Sequence, residues 1–118
     1  MKSISIGYLA ATAIAAGMLF TSAPAAAFDE EAAKALAREN KCFRCHAINK
    51  DKDGPSWNSV AAKYRDKADA QERLVHHLTS GEMSKFPDGH EEEHKIIKTE
   101  PENDTAQIKN LVDWLLSL

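Results

Sequence analysis

The chain has 118 residues, a net charge of −3 and two cysteines, and 43% of its residues are hydrophobic. This length allows one small domain, and the acidic balance argues against a nucleic-acid partner. The two cysteines are separated by only two residues, so they cannot form a disulfide that joins distant parts of the chain.

Residues 1–27 have the pattern of a secretory signal peptide. Lys2 precedes the apolar run ISIGYLAATAIAAGMLF, and an A-x-A pattern ends at Ala27, which predicts cleavage before Phe28. A retained membrane anchor is the alternative, although the glycine and alanine content makes this run a weak spanning helix.

The predicted mature domain, residues 28–118, has 91 residues. It loses only Lys2 among the charged residues, which leaves 14 basic against 18 acidic residues and a net charge of −4. We expect this domain to lie outside the membrane in an oxidising compartment, most simply a bacterial periplasm.

Four helices are predicted along this domain. The first begins after Asp29, a capping residue followed by two glutamates, and ends near Cys42. The second covers residues 56–67. The third covers residues 68–81, with Asp69 and Glu72 as a capping pair and Gly81 as its end. Their apolar sides contain Ala33, Leu36 and Ala37, then Val60, Ala61 and Tyr64, then Leu74, Val75 and Leu78.

Residues 82–102 show no clear period, which predicts a long loop with at most one helical turn. The last helix, residues 103–118, begins with the capping pair Asp104 and Gln107. Its apolar residues repeat at helical spacing: Ile108, Leu111, Val112, Leu115 and Leu118. No strand pattern is present, so the sequence predicts an all-α domain.

The stretch ENKCFRCHAI contains Cys42, Cys45 and His46. A Cys-x-x-Cys pair can be a redox dithiol, half of a zinc site or a haem attachment site. The βαβ context of a redox dithiol is absent, and so is the second Cys/His pair of a zinc site. The adjacent histidine favours covalent haem, because a helical turn from Cys42 lets both thiols reach one haem edge while His46 faces the iron.

From residue 30 to residue 118 the chain resembles the short bacterial class I cytochromes c. CFRCHAINKDKDGPSW is similar to the family's haem site and its Gly-Pro turn, and LVDWLLSL is similar to its last helix. The resemblance implies about four helices wrapped around one haem c. It also implies thioether bonds at Cys42 and Cys45, His46 as the proximal iron ligand, and the Pro55 carbonyl as the hydrogen-bond acceptor of His46.

The family's methionine-containing distal segment is missing. Spacing from the haem motif and from Trp114 brackets the distal ligand between Glu91 and Lys98, and His94 is the one good iron ligand inside that bracket. We therefore expect His94 to be the distal ligand. His90, Met83 and an iron without a protein distal ligand stay open as alternatives.

Other side chains have weaker predicted roles. Trp57, Phe86 and Trp114 are expected in the core around the haem. His77 is either a surface residue of the third helix or a contact to a haem propionate.

The predicted function is a periplasmic one-electron carrier, not an enzyme, that exchanges electrons with a reductase and an oxidase-type acceptor. A gas-binding or sensing haem protein is one alternative. A cytochrome subunit of a larger oxidoreductase is another.

Overall fold

The computed structural model describes residues 17–19 and 28–118. The predicted signal peptide, except for residues 17–19, and its cleavage site therefore lie outside the described residues. Within the described ranges, no helix combines the length and apolar character needed to cross a membrane.

The described part of the chain forms four α-helices, one short 3₁₀ turn and one hairpin, which agrees with the predicted all-α class. Their bounds are α1 Glu30–Glu39, the 3₁₀ turn Cys42–Arg44, α2 Trp57–Tyr64, α3 Ala70–Ser80, β1 Met83–Lys85, β2 Glu91–Glu93 and α4 Thr105–Ser117.

Two of the three predicted N-terminal caps form. Asp29 Oδ1 accepts a hydrogen bond from the Ala32 amide at 3.0 Å, and Asp104 Oδ1 accepts one from the Gln107 amide at 3.2 Å. The prediction for Asp69 is wrong. Its side chain makes no capping bond because its backbone, with φ −100° and ψ 15°, lacks the extended conformation of a cap.

The N-terminal and C-terminal helices pack against each other closely. Ala33 and Ala37 have no exposed surface, and small residues at such positions let two helices approach. Asn110 on α4 forms two hydrogen bonds to the residue before α1. Its side chain accepts from the Asp29 amide at 2.7 Å and donates to the Asp29 carbonyl at 2.8 Å. The core cluster contains Ala33, Leu36, Ala37, Trp57, Ile97, Ile108, Leu111, Trp114 and Leu115.

The two tryptophans lie in the core as expected, with an edge-to-face contact of 5.5 Å between the ring centroids of Trp57 and Trp114. Phe86 is not a member of the core cluster, but it borders the cavity that Trp57 also lines. It is half-buried in the hairpin, where its ring stacks on His90.

The prediction of a strand-free loop over residues 82–102 is wrong. Strands β1 and β2 pair antiparallel, with Ser84 opposite Glu92, and Gly89 adopts φ +92° in the turn that joins them. Each strand has only three residues, which is too short to show an alternating pattern, and the second strand is an exposed run of glutamates.

The segment after the hairpin returns to the core and is held there by Asn40. The Asn40 side chain donates to the Leu36 carbonyl at 3.0 Å and to the Lys98 carbonyl at 2.9 Å. It also accepts from the Lys98 amide at 2.8 Å. Asn40 is buried, so water cannot replace these bonds.

Replacing Asn40 by Ala should therefore lower the free energy of unfolding by roughly 2–3 kcal/mol, since the Lys98 backbone loses both partners. Asn58, an exposed asparagine on α2, is the matched control, and Asn58→Ala should change stability by less than about 0.5 kcal/mol. Denaturant titration of the two variants measures both values. Equal losses would contradict the anchoring role of Asn40.

Candidate functional site

The cysteine–histidine motif begins where the chain leaves α1. Lys41 turns the chain with φ +58°, and the 3₁₀ turn that follows is closed by the Cys45 and His46 amides, which donate to the Cys42 carbonyl at 3.2 and 3.0 Å. This turn brings the side chains of Cys42, Cys45 and His46 to the same cavity. The two thiols are not bonded to each other, and burial raises the pKa of Cys42.

The loop after the motif folds back onto it. The Gly54 amide donates to the Cys45 carbonyl at 2.7 Å, and Lys52 Nζ donates to the Phe43 carbonyl at 2.8 Å. These bonds bring the Gly54–Pro55 turn alongside the ring of His46.

His46 has a defined tautomer. Its Nδ1 lies 2.8 Å from the Pro55 carbonyl oxygen, and because a carbonyl only accepts, Nδ1 carries the proton. Burial lowers the pKa of His46, and the bond to Pro55 opposes that effect only in part. The imidazole is therefore neutral near pH 7, and Nε2 is left as a free lone pair suited to a metal.

Gly54 packs against the face of the same ring. A Cβ atom at this position would lie 2.7 Å from His46 Nδ1 and 3.0 Å from Nε2, and closer still to Cε1. Only glycine leaves room for the ring here. The Gly-Pro pair therefore does more than turn the chain, since Gly54 sets the ring's position and Pro55 its tautomer.

His94 lies at the base of the hairpin and has the same arrangement. Its Nδ1 lies 3.0 Å from the Lys95 carbonyl oxygen, so Nδ1 again carries the proton and Nε2 is free. The pKa of His94 is lowered, first by burial and then by the neighbouring histidines His77 and His46. Both histidines are therefore neutral potential ligands.

The ring centroids of His46 and His94 are 6.3 Å apart. Imidazole–metal bonds of about 2.0–2.1 Å, the length found for zinc, would separate two rings on opposite sides of one metal atom by roughly 6 Å. The spacing thus fits one metal atom between the two histidines.

These side chains surround a cavity of about 1050 Å³. Its volume is just above the usual range for sites of small molecules and cofactors, about 300–1,000 Å³. The apolar part of its wall includes Trp57, Val60, Leu74, Leu78, Phe86, Ile97, Leu111 and Leu115. The Ser84 hydroxyl is buried at this wall and has no hydrogen-bond partner among the described residues, which suits an occupant that carries an acceptor. Apolar walls, two thiols and two free imidazoles together fit a haem.

The other two candidate ligands are placed less favourably. The His90 ring is held outside the cavity lining by Asp88 and Glu92 and stacks on Phe86 at 4.4 Å. Met83 borders the cavity but is 58% exposed. Neighbouring side chains of a strand point to opposite faces, so Met83 points to the face opposite that of the inward-facing Ser84.

Sequence reasoning did not identify three features of this site. The Gly54 contact, the buried Ser84 hydroxyl and the packing of His77 against His94 at 4.1 Å all depend on the fold. The Gly-Pro pair that begins eight residues after the candidate ligand His46 was a usable signal for the first feature. The other two depend on the hairpin, whose strands are too short to leave a pattern.

The cytochrome c family model matches residues 30–118. Among curated proteins, cytochrome c-551 of Allochromatium vinosum is 34% identical over 89 residues, which cover 70% of this chain and 82% of that protein. Cytochrome c-552 of Hydrogenobacter thermophilus is 30% identical over 84 residues, which cover 70% of this chain and 78% of that protein.

Solved structures agree with these matches. The class 1 cytochrome MtoD of Sideroxydans lithotrophicus is 63% identical, with a TM-score of 0.72, and the match covers 77% of this chain and 97% of that one. Cytochrome c552 of Nitrosomonas europaea is 30% identical, with a TM-score of 0.54, and its match covers 71% and 96%. Relatives of this kind carry one covalently attached haem c, and Cys42 and Cys45 fit its attachment motif.

Gly54→Ala should displace the His46 ring and lengthen its bond to Pro55, because the added methyl group overlaps the imidazole. We expect a changed visible spectrum of the haem protein together with lower thermal stability.

Gly89→Ala is the control for backbone effects. It places a methyl group in open space, but at a strained φ of +92°. It should lower stability and leave the spectrum unchanged. An unchanged spectrum in Gly54→Ala would contradict the contact.

Proposed function

Because this chain belongs to the cytochrome c family, we propose that it is a periplasmic carrier of single electrons whose haem iron is bound by His46 and His94. As a member of this family, the protein is a monohaem electron carrier. The compartment, the ligand pair and the exchange with two redox proteins are the parts that we propose.

Covalent attachment is assigned to Cys42 and Cys45, and proximal ligation to His46. The haem supplies a reversible one-electron change at its iron. The chain's own task is to hold both imidazoles, to surround the haem with apolar side chains and to exclude most water. All of these affect the reduction potential.

The observation that carries the ligand assignment is the matched arrangement of the two histidines. Their centroids lie 6.3 Å apart, and each presents a free Nε2 because its Nδ1 donates to a backbone carbonyl, of Pro55 or of Lys95. A carbonyl partner at Nδ1 also increases the donor strength of the ligating nitrogen.

This ligand pair supports a carrier rather than a gas sensor. With His46 and His94 both bound, the iron would have no free position for carbon monoxide or another small ligand. Methionine ligation raises the reduction potential of a haem iron, and an imidazole in its place favours the ferric state. The exposed glutamates of β2, Glu91–Glu93, add negative charge nearby, and the potential should lie below that of methionine-ligated relatives.

Export is supported by the sequence of residues 1–27. Covalent attachment of haem to thiols and the expected A-x-A cleavage both suit a compartment outside the cytoplasm. The proposed mature protein therefore begins at Phe28 and exchanges electrons with soluble or membrane-bound redox proteins of the same compartment.

Intact-mass measurement of the exported protein should give the mass of residues 28–118 plus one haem, because both thiols add to the haem without releasing a large group. Denaturation in reductant should leave this mass unchanged. A double variant, Cys42→Ala with Cys45→Ala, should lose haem from the denatured chain. Haem that washes out of the denatured wild-type protein would contradict covalent attachment.

His94→Ala should convert the protein from a low-spin form that ignores carbon monoxide to a high-spin form that binds it, because the distal position of the iron is opened. His90→Ala and Met83→Ala are the matched controls and should keep the wild-type spectrum. Absorption spectra of the ferric protein, and of the reduced protein with and without carbon monoxide, measure this.

A methionine–iron charge-transfer band in the wild-type protein would contradict the assignment of His94. A wild-type spectrum that persists in His94→Ala but is lost in His90→Ala or Met83→Ala would move the distal ligand to that residue. Either outcome leaves the cytochrome family and its covalent haem intact.

A further inference from the structure

We propose that His77 is a positioning residue for His94, and that Glu82 holds both histidines so that the plane of the distal imidazole has one orientation. This inference rests on the proposed role of His94 as a ligand. It concerns residues outside the haem attachment motif.

Glu82 connects the two histidines directly. Its carboxylate Oε1 lies 2.6 Å from His77 Nδ1, and its backbone carbonyl accepts the His94 amide at 2.9 Å. Gly81, with φ +69°, turns the chain out of α3 so that Glu82 can reach back to His77 on that helix. One residue therefore fixes the His77 ring and the His94 backbone at the same time.

The rings of His77 and His94 complete the arrangement. Their centroids are 4.1 Å apart, with 43° between the planes. The His94 ring donates a hydrogen bond from Nδ1 to the Lys95 carbonyl, and the tilted ring of His77 packs against it. The torsion that rotates an imidazole is intrinsically broad, so these contacts, rather than the side chain's own preference, decide the plane.

The plane of a ligating imidazole affects the electronic structure of low-spin ferric iron. A ring fixed in one orientation gives one set of g values in electron paramagnetic resonance, whereas a ring free to rotate gives a distribution. Groups that orient a ligand also affect how firmly it binds, and their loss commonly weakens metal binding about 10- to 100-fold.

The neighbouring histidine provides a matched control. His76 lies on the same helix and faces the same carboxylate, but its Nε2 is 3.6 Å from Glu82 Oε2 and its side chain is 66% exposed. No ring contact joins it to His94 among the described residues. His76→Ala therefore removes a histidine and a weak Glu82 contact without removing the support of His94.

The experiment uses the complete haem protein with His77→Ala, His77→Phe or His76→Ala. His77→Ala should broaden or shift the ferric g values. It should also let the reduced protein bind carbon monoxide, which the wild type does not, because a distal ligand bound about 10- to 100-fold less firmly can be displaced. His77→Phe keeps a flat ring against His94 and should restore g values close to wild type. His76→Ala should match the wild type in both measurements.

Failure of this proposal is distinguishable from failure of the ligand assignment. If His94→Ala changes the spin state but His77→Ala matches His76→Ala, the positioning role is wrong and the ligand assignment stands. If His77→Phe behaves like His77→Ala, contact with a flat ring is not what orients His94. A spectrum unaffected by His94→Ala removes the basis of both proposals.

Discussion

The site depends on the confinement of the His46 ring. One face of the ring packs against Gly54, at a position where a side chain would overlap the ring. The Pro55 carbonyl accepts a hydrogen bond from Nδ1 and so fixes the proton there. A stacked contact with Trp57 at 5.8 Å connects the ring to the hydrophobic core. The proposed proximal ligand therefore lies against a residue of the core cluster, and this residue is also part of the cavity wall.

The opposite wall of the cavity has a different kind of support. Its hairpin contributes few buried side chains, and the segment that follows it is held by polar contacts. Lys95 Nζ donates to the Asn40 carbonyl at 2.9 Å, the Asn40 side chain bonds the Lys98 backbone, and the Ile97 amide donates to Leu78. The proximal wall thus combines ring packing with hydrogen bonds, whereas the distal segment adds Ile97 to the core cluster and otherwise depends mainly on hydrogen bonds. Hydrogen bonds of exposed elements open more readily than packed contacts, so local opening should begin at the hairpin.

The sequence-based prediction was most accurate where a short-range pattern decides the structure. Helix α4 has an apolar repeat and a cap at Asp104, and both appear as predicted, because i, i+3 and i+4 spacing is a property of the helix itself. The same reasoning failed at Asp69, where the backbone conformation before α3 excludes the cap. It also failed at residues 82–102, because strands of three residues leave no periodic signal. Phe86 was expected in the core around the haem, and the hairpin places it outside the core cluster but at the edge of the cavity.

The sequence by itself determined the all-α class, the family and the covalent haem, because the Cys42–Cys45–His46 spacing and the helical repeats are local properties of the chain. It also restricted the distal ligand to a short interval around His94, and the ligand itself stays a prediction. The tertiary structure alone decided that His94 lies 6.3 Å from His46, that Gly54 touches the His46 ring and that Glu82 joins His77 to His94. The residues in these contacts lie on different elements: Gly54 in a turn, His94 at the base of the hairpin and His77 on α3. Their distances depend on the packing of several elements together, and spacing along the chain offered a signal only for the Gly54 contact.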